Sequence, residues 1–341
     1  MTSGESAVVD TLGRPLRDVR ISVTDRCNFR CPYCMPAELY GERFRFLPSG
    51  EILSFEEIVR LAGLFVRLGA KKLRLTGGEP LLRAELPKLV AMLKAVPGVE
   101  DLALTTNGHL LARLAEPLAR AGLSRVTVSI DSHDEEVFRR MSGGFSSPAR
   151  VLEGIAAAER AGLAPIKLNC VVERGVNDHT VVDLARRFRG TGHIVRFIEY
   201  MDVGTMNAWD PSKVVPAREI VERIGAELPL EPAEANYRGE VARRWRYRDG
   251  SGEIGVIASV TQPFCGDCTR ARLTAEGAFV TCLFAAGGRD LKTPLRAGAG
   301  DAELLELMTG TWRRRADRYS EERASVPLRA ARRIEMYQVG G

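Results

Sequence analysis

Six of the chain's seven cysteines fall into two groups of three, and their spacing is the first sign of chemistry. Cys27, Cys31 and Cys34 form a C-x3-C-x2-C run, and Cys265, Cys268 and Cys282 form C-x2-C-x13-C. Three thiolates on one short loop can each bind one iron of a cubane cluster, leaving the last iron without a protein ligand. The amino and carboxylate groups of a small molecule can then coordinate that open corner. A zinc knuckle is the competing reading of the first group, but structural zinc prefers four protein ligands and no fourth Cys or His stands nearby. In the second group, the Glu276-Gly277 turn can fold Cys282 back toward Cys265 and Cys268. Three soft ligands again suit an open-cornered cubane, with a zinc ribbon as the alternative. The odd cysteine count argues against a disulfide framework. Arg270 and Arg272 follow the second group on alternate positions of an expected strand. Paired guanidinium forks suit phosphate oxygens, against the plainer reading of two solvated surface arginines.

The elements that must position these groups alternate regularly. Strands are predicted at 19–24, 72–75, 102–106, 125–131, 166–172 and 193–199. Helices are predicted at 54–68, 86–96, 110–121, 149–161 and 179–189, the first opening with a Ser54/Glu57 capping box. Strands separated by helices imply parallel β-α units with right-handed crossovers. Alternate strand residues share a face. Arg20, Ser22 and Thr24 share one; Lys72, Arg74 and Thr76 another; Thr105, the Thr127-Ser129-Asp131 set and the Lys167-Asn169 pair repeat the pattern, and Arg196 interrupts an apolar strand. The opposite faces are mostly Val, Ile and Leu. A polar and cationic face on nearly every strand predicts a lumen for a charged ligand; a half-exposed sheet is the alternative. After about residue 205 the pattern changes to a helix near 216–224, a hairpin over 243–260 around Asp249-Gly250, the second cysteine group, a helix near 301–313 and an irregular tail. The expected organisation is an α/β chain: a partial (β/α)6-type TIM-like barrel over 1–215, and a C-terminal Fe–S cluster module over 216–341.

Composition narrows the setting. The chain is 45% hydrophobic and 27% charged, with a net charge of +5. So small a surplus does not indicate nucleic-acid binding, though it allows a local pocket for an anion. The first ten residues lack the basic flank and apolar core of a signal peptide, and no segment approaches the length of a membrane span. A cytoplasmic location without membrane attachment is the expectation.

The C-x3-C-x2-C run with an aromatic residue before its last cysteine resembles the radical S-adenosylmethionine superfamily. Thr76-Gly77-Gly78-Glu79-Pro80 resembles that superfamily's loop for the methionine amino group. Within it, the chain is similar throughout its length to the GTP 3′,8-cyclase family. The markers are the N-terminal GRPLRDVRISVTDRCN run, Phe197-Ile198-Glu199-Tyr200-Met201-Asp202-Val203-Gly204, the Cys-x2-Cys-Thr-Arg-Ala-Arg-Leu block and the terminal Gly340-Gly341. The resemblance implies two 4Fe–4S clusters, one on Cys27, Cys31 and Cys34 that carries S-adenosylmethionine, and one on Cys265, Cys268 and Cys282 that touches guanine. It implies S-adenosylmethionine contacts from Tyr33, Gly78, Ser129 and Met201. GTP contacts fall to Arg20, Arg74, Thr105, Lys167, Arg270 and Arg272, with Lys72 and Arg196 as additions.

Gly340 and Gly341 would enter the catalytic site, where only residues without side chains fit; a flexible end is the alternative. The implied reaction removes hydrogen from ribose C3′, joins that carbon to guanine C8, and ends with one-electron reduction and protonation. The implied partners are GTP, a reductant and a cyclic pyranopterin monophosphate synthase acting on the product, and a homodimer is compatible. Cys170, opposite Lys167, reads as structural. Two rivals follow from the same residues: a peptide-modifying maturase with an auxiliary cluster, and a non-catalytic Fe–S sensor or electron-transfer protein.

Overall fold

The alternation of β-branched and amphipathic segments builds one long curved sheet. The computed structural model describes residues 8–323 and 333–340. Strands β1 (Asp18–Ser22), β2 (Lys72–Thr76), β3 (Asp101–Thr106), β4 (Arg125–Ser129), β5 (Lys167–Val172) and β6 (Ile194–Glu199) lie parallel in chain order. Helices α1 (Phe55–Arg67), α2 (Leu86–Lys94), α3 (Leu111–Arg120), α4 (Glu135–Ser142), α5 (Pro148–Arg160) and α6 (Val181–Phe188) make the crossovers that parallel pairing requires. The capping box at α1 is complete: Ser54 Oγ accepts from Glu57 N, and the Glu57 carboxylate accepts from Ser54 N. α4 lies outside the predicted elements. Asp134 caps its start and Gly143, at φ 75°, ends it.

Beyond β6, α7 (Ala217–Glu227) leads to β7 (Leu230–Ala233), β8 (Arg243–Tyr247) and β9 (Glu253–Ile257). β8 and β9 pair as the expected hairpin, and β9 then adds parallel to β6. At the opposite edge β10 (Arg270–Leu273) adds parallel to β1, with β11 (Ala278–Val280) and β12 (Arg289–Asp290) antiparallel beyond it. The strand order is β12-β11-β10-β1-β2-β3-β4-β5-β6-β9-β8-β7, and its ends do not pair, so the TIM-like barrel is partial. The parallel centre thus gains β9 and β10, two strands that hairpin patterns in the sequence disguise. Helices α8 (Lys292–Arg296), α9 (Asp301–Arg313), α10 (Tyr319–Glu322) and α11 (Met336–Val339) complete the chain. The stretch read as an irregular tail therefore holds α10 and α11, each a single turn too short to show a period.

The apolar strand faces turn outward onto the helices. Val19, Ile21, Leu73, Leu75, Leu104, Val126, Val128 and Leu168 are buried against Leu61, Phe65, Leu89, Leu118, Ile155 and Leu184. Each such side chain contributes about 2 kcal/mol when taken from water. Cys170 joins this layer, as its strand face predicts. The inner face is left to polar residues, the reverse of a barrel whose interior is apolar. Among the described residues no helix is long and apolar enough to cross a membrane.

Candidate active site

The polar strand faces converge on one cavity of about 670 Å³. Strand register sorts the lining into rows. Arg272, Arg20, Arg74, Ala103 and Arg125 are successive neighbours across β10, β1, β2, β3 and β4. In the row before it, Arg270, Asp18, Lys72 and Asp101 alternate in sign. Nε of Arg20, Arg125, Arg196 and Arg272 is buried with no acceptor. Nη1 of Arg74 donates to Oγ1 of Thr105 at 3.1 Å and of Thr127 at 3.0 Å. Gly255 faces Arg196 across the sheet, and a Cβ there would sit 3.1 Å from Arg196 Cγ, so the glycine leaves room for that side chain.

Crowding these cations out of water shifts their titration. Burial, then repulsion from Arg272, pushes the Arg20 guanidinium well below its ordinary value. Burial and Arg270 bring Arg272 down to about 10, and burial with Arg74 brings Arg196 to about 9. Burial lowers Lys72 and Lys167 to about 8 each. Burial opposes ionisation of Asp18, but Lys72, Arg20 and Arg74 outweigh it and hold the carboxyl below its usual range. The arginine row thus holds more positive charge than the nearby carboxylates offset and leaves several Nε donors without an acceptor, and a polyphosphate supplies both charge and acceptors.

The first cysteine group lies at the C-terminal end of β1, and all three of its residues line the same cavity. Its loop is held from three sides. Arg30 Nη1 donates to the Cys27 carbonyl at 2.8 Å, and Nε donates to the Tyr40 carbonyl at 2.7 Å. The Tyr33 hydroxyl donates to Asp131 Oδ2 at 2.8 Å, tying the loop to the end of β4. Gly78 N donates to Thr24 O at 2.9 Å and Glu79 N to Arg26 O at 2.7 Å. A Cβ on Gly77 would lie 2.3 Å from Thr24 O, and one on Gly78 2.2 Å from Arg26 O. The close approach these glycines permit is therefore between the two loops themselves. Glu79 accepts from Thr106 Oγ1 and from the amides of Leu81 and Asn107. Burial still raises its carboxyl to about 7, and burial raises Asp131 to about 6.

Burial raises Cys27 to about 12 and drives Cys31 and Cys34 up as well. Among the described residues no three His, Cys, Asp or Glu side chains are arranged to hold a metal ion. The donor set of the first loop is three soft sulfurs on one cavity wall, and in a cubane each thiolate meets its own iron. The loop can therefore hold an iron–sulfur cluster through Cys27, Cys31 and Cys34.

Cys265 opens a short 3-10 turn, Cys268 ends it, and Cys282 follows β11 across the Glu276-Gly277 turn. Arg270 Nη2 donates to Cys268 Sγ at 3.2 Å. Burial disfavours the Cys268 thiolate, but Arg270 and Arg315 beside it outweigh burial and bring the thiol down to about 6. Burial takes Cys282 up to about 11. None of the three cysteines lines the cavity, although their neighbours Phe264, Arg270, Arg272 and Leu283 do.

The cavity brings together Arg20, Arg74, Thr105, Lys167, Arg270 and Arg272, the added Lys72 and Arg196, and Tyr33, Gly78, Ser129 and Met201. Gly340, at φ 65°, lies against Thr76, where a Cβ would come within 2.2 Å of Oγ1. Gly341 lies outside the described residues. Arg125, Asp18, Asn107, Tyr237 and Glu240 also line the cavity and are absent from the sequence reading. Arg125 already lies in the predicted strand 125–131 with the parity of Thr127 and Ser129, and Asp18, one residue before the predicted 19–24, has that of Arg20, so following the alternation to the start of each strand would have found them. Tyr237 and Glu240 sit on the loop between β7 and β8, which carries no periodic signal.

The chain matches the Radical SAM superfamily over residues 21–188 and Molybdenum Cofactor Synthesis C over residues 193–321. It is 56% identical to the GTP 3′,8-cyclase of Acidothermus cellulolyticus, covering 97% of this chain and 98% of that one. It is 54% identical to the GTP 3′,8-cyclase of Xanthomonas axonopodis pv. citri, over 97% and 98%. A solved structure described as native anSMEcpe with bound AdoMet superimposes with a TM-score of 0.47 at 17% identity, over 62% of this chain and 60% of that one. With both halves matched and identity above one half along nearly the whole length, the chain belongs to the GTP 3′,8-cyclase family of radical SAM enzymes.

Proposed function

We propose that this chain is a lyase that converts GTP to (8S)-3′,8-cyclo-7,8-dihydroguanosine 5′-triphosphate in molybdenum cofactor biosynthesis, using two 4Fe–4S clusters. The observation that carries this reading is the arginine row of β10, β1, β2 and β4, with Nε of Arg20, Arg125 and Arg272 lacking acceptors inside the cavity. Arg20, Arg74, Arg270 and Arg272 hold the triphosphate together with Lys72, Lys167 and Arg196, and Thr105 orients Arg74. When bound, the cluster on Cys27, Cys31 and Cys34 and its S-adenosylmethionine supply the adenosyl radical that removes hydrogen from ribose C3′. Tyr33, Gly78, Ser129 and Met201 shape the walls around that cofactor. Cys265, Cys268 and Cys282 would hold the second cluster and so offer an open iron to the guanine end of the substrate, and Gly340 and Gly341 would close the site without side chains. Residues 1–215 supply the radical chemistry and 216–341 the substrate end. A reductant feeds electrons, and a cyclic pyranopterin monophosphate synthase takes the product.

Full-length likeness to GTP 3′,8-cyclases favours this reading over a peptide-modifying maturase or an electron-transfer protein. Anaerobic incubation of the iron-reconstituted chain with GTP, S-adenosylmethionine and dithionite tests it. Formation of 5′-deoxyadenosine with a cyclised GTP product is expected; absence of both rejects the proposal.

A further inference from the structure

A buried ion cluster outside the cavity grips the second cysteine group by its backbone. The Asp10 carboxylate is fully enclosed. Its Oδ1 accepts from Leu12 N at 3.0 Å and Arg14 N at 2.9 Å. Its Oδ2 accepts from Arg14 Nε at 2.6 Å and Arg315 Nη1 at 3.3 Å. The side chains of Asp10, Arg14 and Arg315 are 0%, 2% and 1% exposed. Arg14 Nη1 also donates to the carbonyls of Cys265 at 2.7 Å and Asp317 at 2.9 Å. Arg315 Nη1 donates to the carbonyl of Cys268 at 2.7 Å. Each cysteine of the C-x2-C pair therefore has its carbonyl held by one arginine, and the two arginines share one carboxylate.

Trp312 completes the mount. Its Nε1 donates to Arg14 O at 3.1 Å, and the Arg315 guanidinium lies 4.7 Å above its ring. The turn's other supports are lighter: Cys265–Asp267 contains no buried residue, its own bond, Cys268 N to Cys265 O, is 3.2 Å, Arg270 Nη2 reaches Cys268 Sγ at 3.2 Å and the exposed Arg238 pairs with Asp267. Desolvating two guanidiniums against one carboxylate is a poor way to gain stability, because apolar residues of similar size do as well or better. A positional role accounts for the arrangement.

We infer that Asp10, Arg14 and Arg315 are positioning residues for the second cysteine group: they fix the carbonyls of Cys265 and Cys268 so that the two thiols keep the spacing a cluster needs. The inference rests on the two-cluster reading above, and the test separates them. Two full-length backgrounds are reconstituted with iron and sulfide, one with Cys27, Cys31 and Cys34 changed to Ala, the other with Cys265, Cys268 and Cys282 changed to Ala. Bound iron and the electron paramagnetic resonance signal of the reduced protein are measured in each.

In the first background, Arg315→Gln and Arg14→Gln should weaken iron retention by about tenfold and alter the signal, as removal of a ligand's support does. In the second background the same substitutions should leave iron and signal unchanged. Arg315→Lys, which keeps a charge and a donor, should recover most of the loss. Unchanged iron and signal for Arg315→Gln in the first background overturns the clamp. Equal loss in both backgrounds also overturns it, since the residues then support the whole fold. Failure of the first background to bind iron before any clamp substitution overturns the two-cluster reading, and the clamp falls with it.

Discussion

Individual side chains in the cavity make the most direct predictions, because so many like charges are held together. Arg74 is buried and reaches both Thr105 and Thr127, so its guanidinium is fixed before any ligand arrives. Arg74→Ala should weaken GTP binding by about a hundredfold, the scale of losing one buried charged contact, read by anaerobic calorimetry; unchanged affinity removes Arg74 from the site. Lys72 and Lys167 predict a pH dependence. In the empty protein both titrate near 8, so between about 8 and the ordinary lysine value near 10.5 the unfolded chain binds more protons than the folded one. Their burial therefore costs stability fully below about pH 8, and that cost fades as pH rises through the window. A bound polyphosphate favours the charged forms. GTP binding at about pH 8.5 should take up protons, seen as a buffer-dependent binding enthalpy, and should weaken as pH rises further. Proton uptake that persists unchanged in Lys72→Met/Lys167→Met assigns it to other groups. Most of this cationic face was legible from alternation alone, since a strand has a strict period of two. Asp18 escaped because it lies one residue before the predicted start of its strand, whereas Arg125 lies inside its predicted strand at the parity of Thr127 and the alternation itself could have found it.

At the scale of elements, the crossover helices and their caps follow from local chemistry, whereas the sheet edges do not. Ser54 and Glu57 announce α1 in the sequence, and the structure closes both bonds of the box. Ser54→Ala should cost about 1 kcal/mol in denaturant unfolding and leave GTP affinity unchanged, because α1 lies on the outer face. α11 was hidden by brevity, being four residues long. β9 and β10 were hidden by partners far away in sequence: a hairpin motif states which neighbour a strand has on one side and is silent about the other. The pairing of the two site loops is of the same kind. Glycines at 77 and 78 permit a close backbone approach by their type alone, while the surface approached, the backbone of Thr24 and Arg26, is a matter of tertiary placement. Gly78→Ala forces a methyl against Arg26 O and breaks the bonds from Gly78 and Glu79 to the cysteine loop. It should lower S-adenosylmethionine affinity by at least about tenfold, the cost of losing two backbone bonds, and should release iron from the first group faster. Normal affinity would show that the loops can separate without consequence.

Across the whole molecule, the last described segment ties together parts that are remote in the chain. Glu335 accepts from the amide and hydroxyl of Thr205, both at 2.9 Å, in the loop after β6. Gly204, at φ 77°, has no side chain to obstruct that carboxylate, and a Cβ there would lie 2.1 Å from Glu335 Oε2. Tyr337 packs its ring 5.2 Å from that of Tyr40, beyond the first cysteine loop. Arg333 reaches Asp202 at 3.3 Å, and Met336 lines the cavity. Gly340 then arrives against Thr76 at the end of β2, with no space for a methyl group. Anchors in the loop after β6, beyond the cysteine loop and on β2 thus place residues 335–340 from three directions at once, and such agreement over-determines a position that backbone preferences alone leave loose. Gly340→Ala should lower formation of cyclised product by at least about tenfold with little change in GTP affinity, because the added methyl meets Thr76 at the end of β2, two residues beyond the arginine row. Glu335→Ala releases the same segment from the β6 loop without adding bulk. If the anchors act through Gly340, the double variant should be no worse than Gly340→Ala alone. Additive losses would mean that Glu335 acts on the site by a separate route.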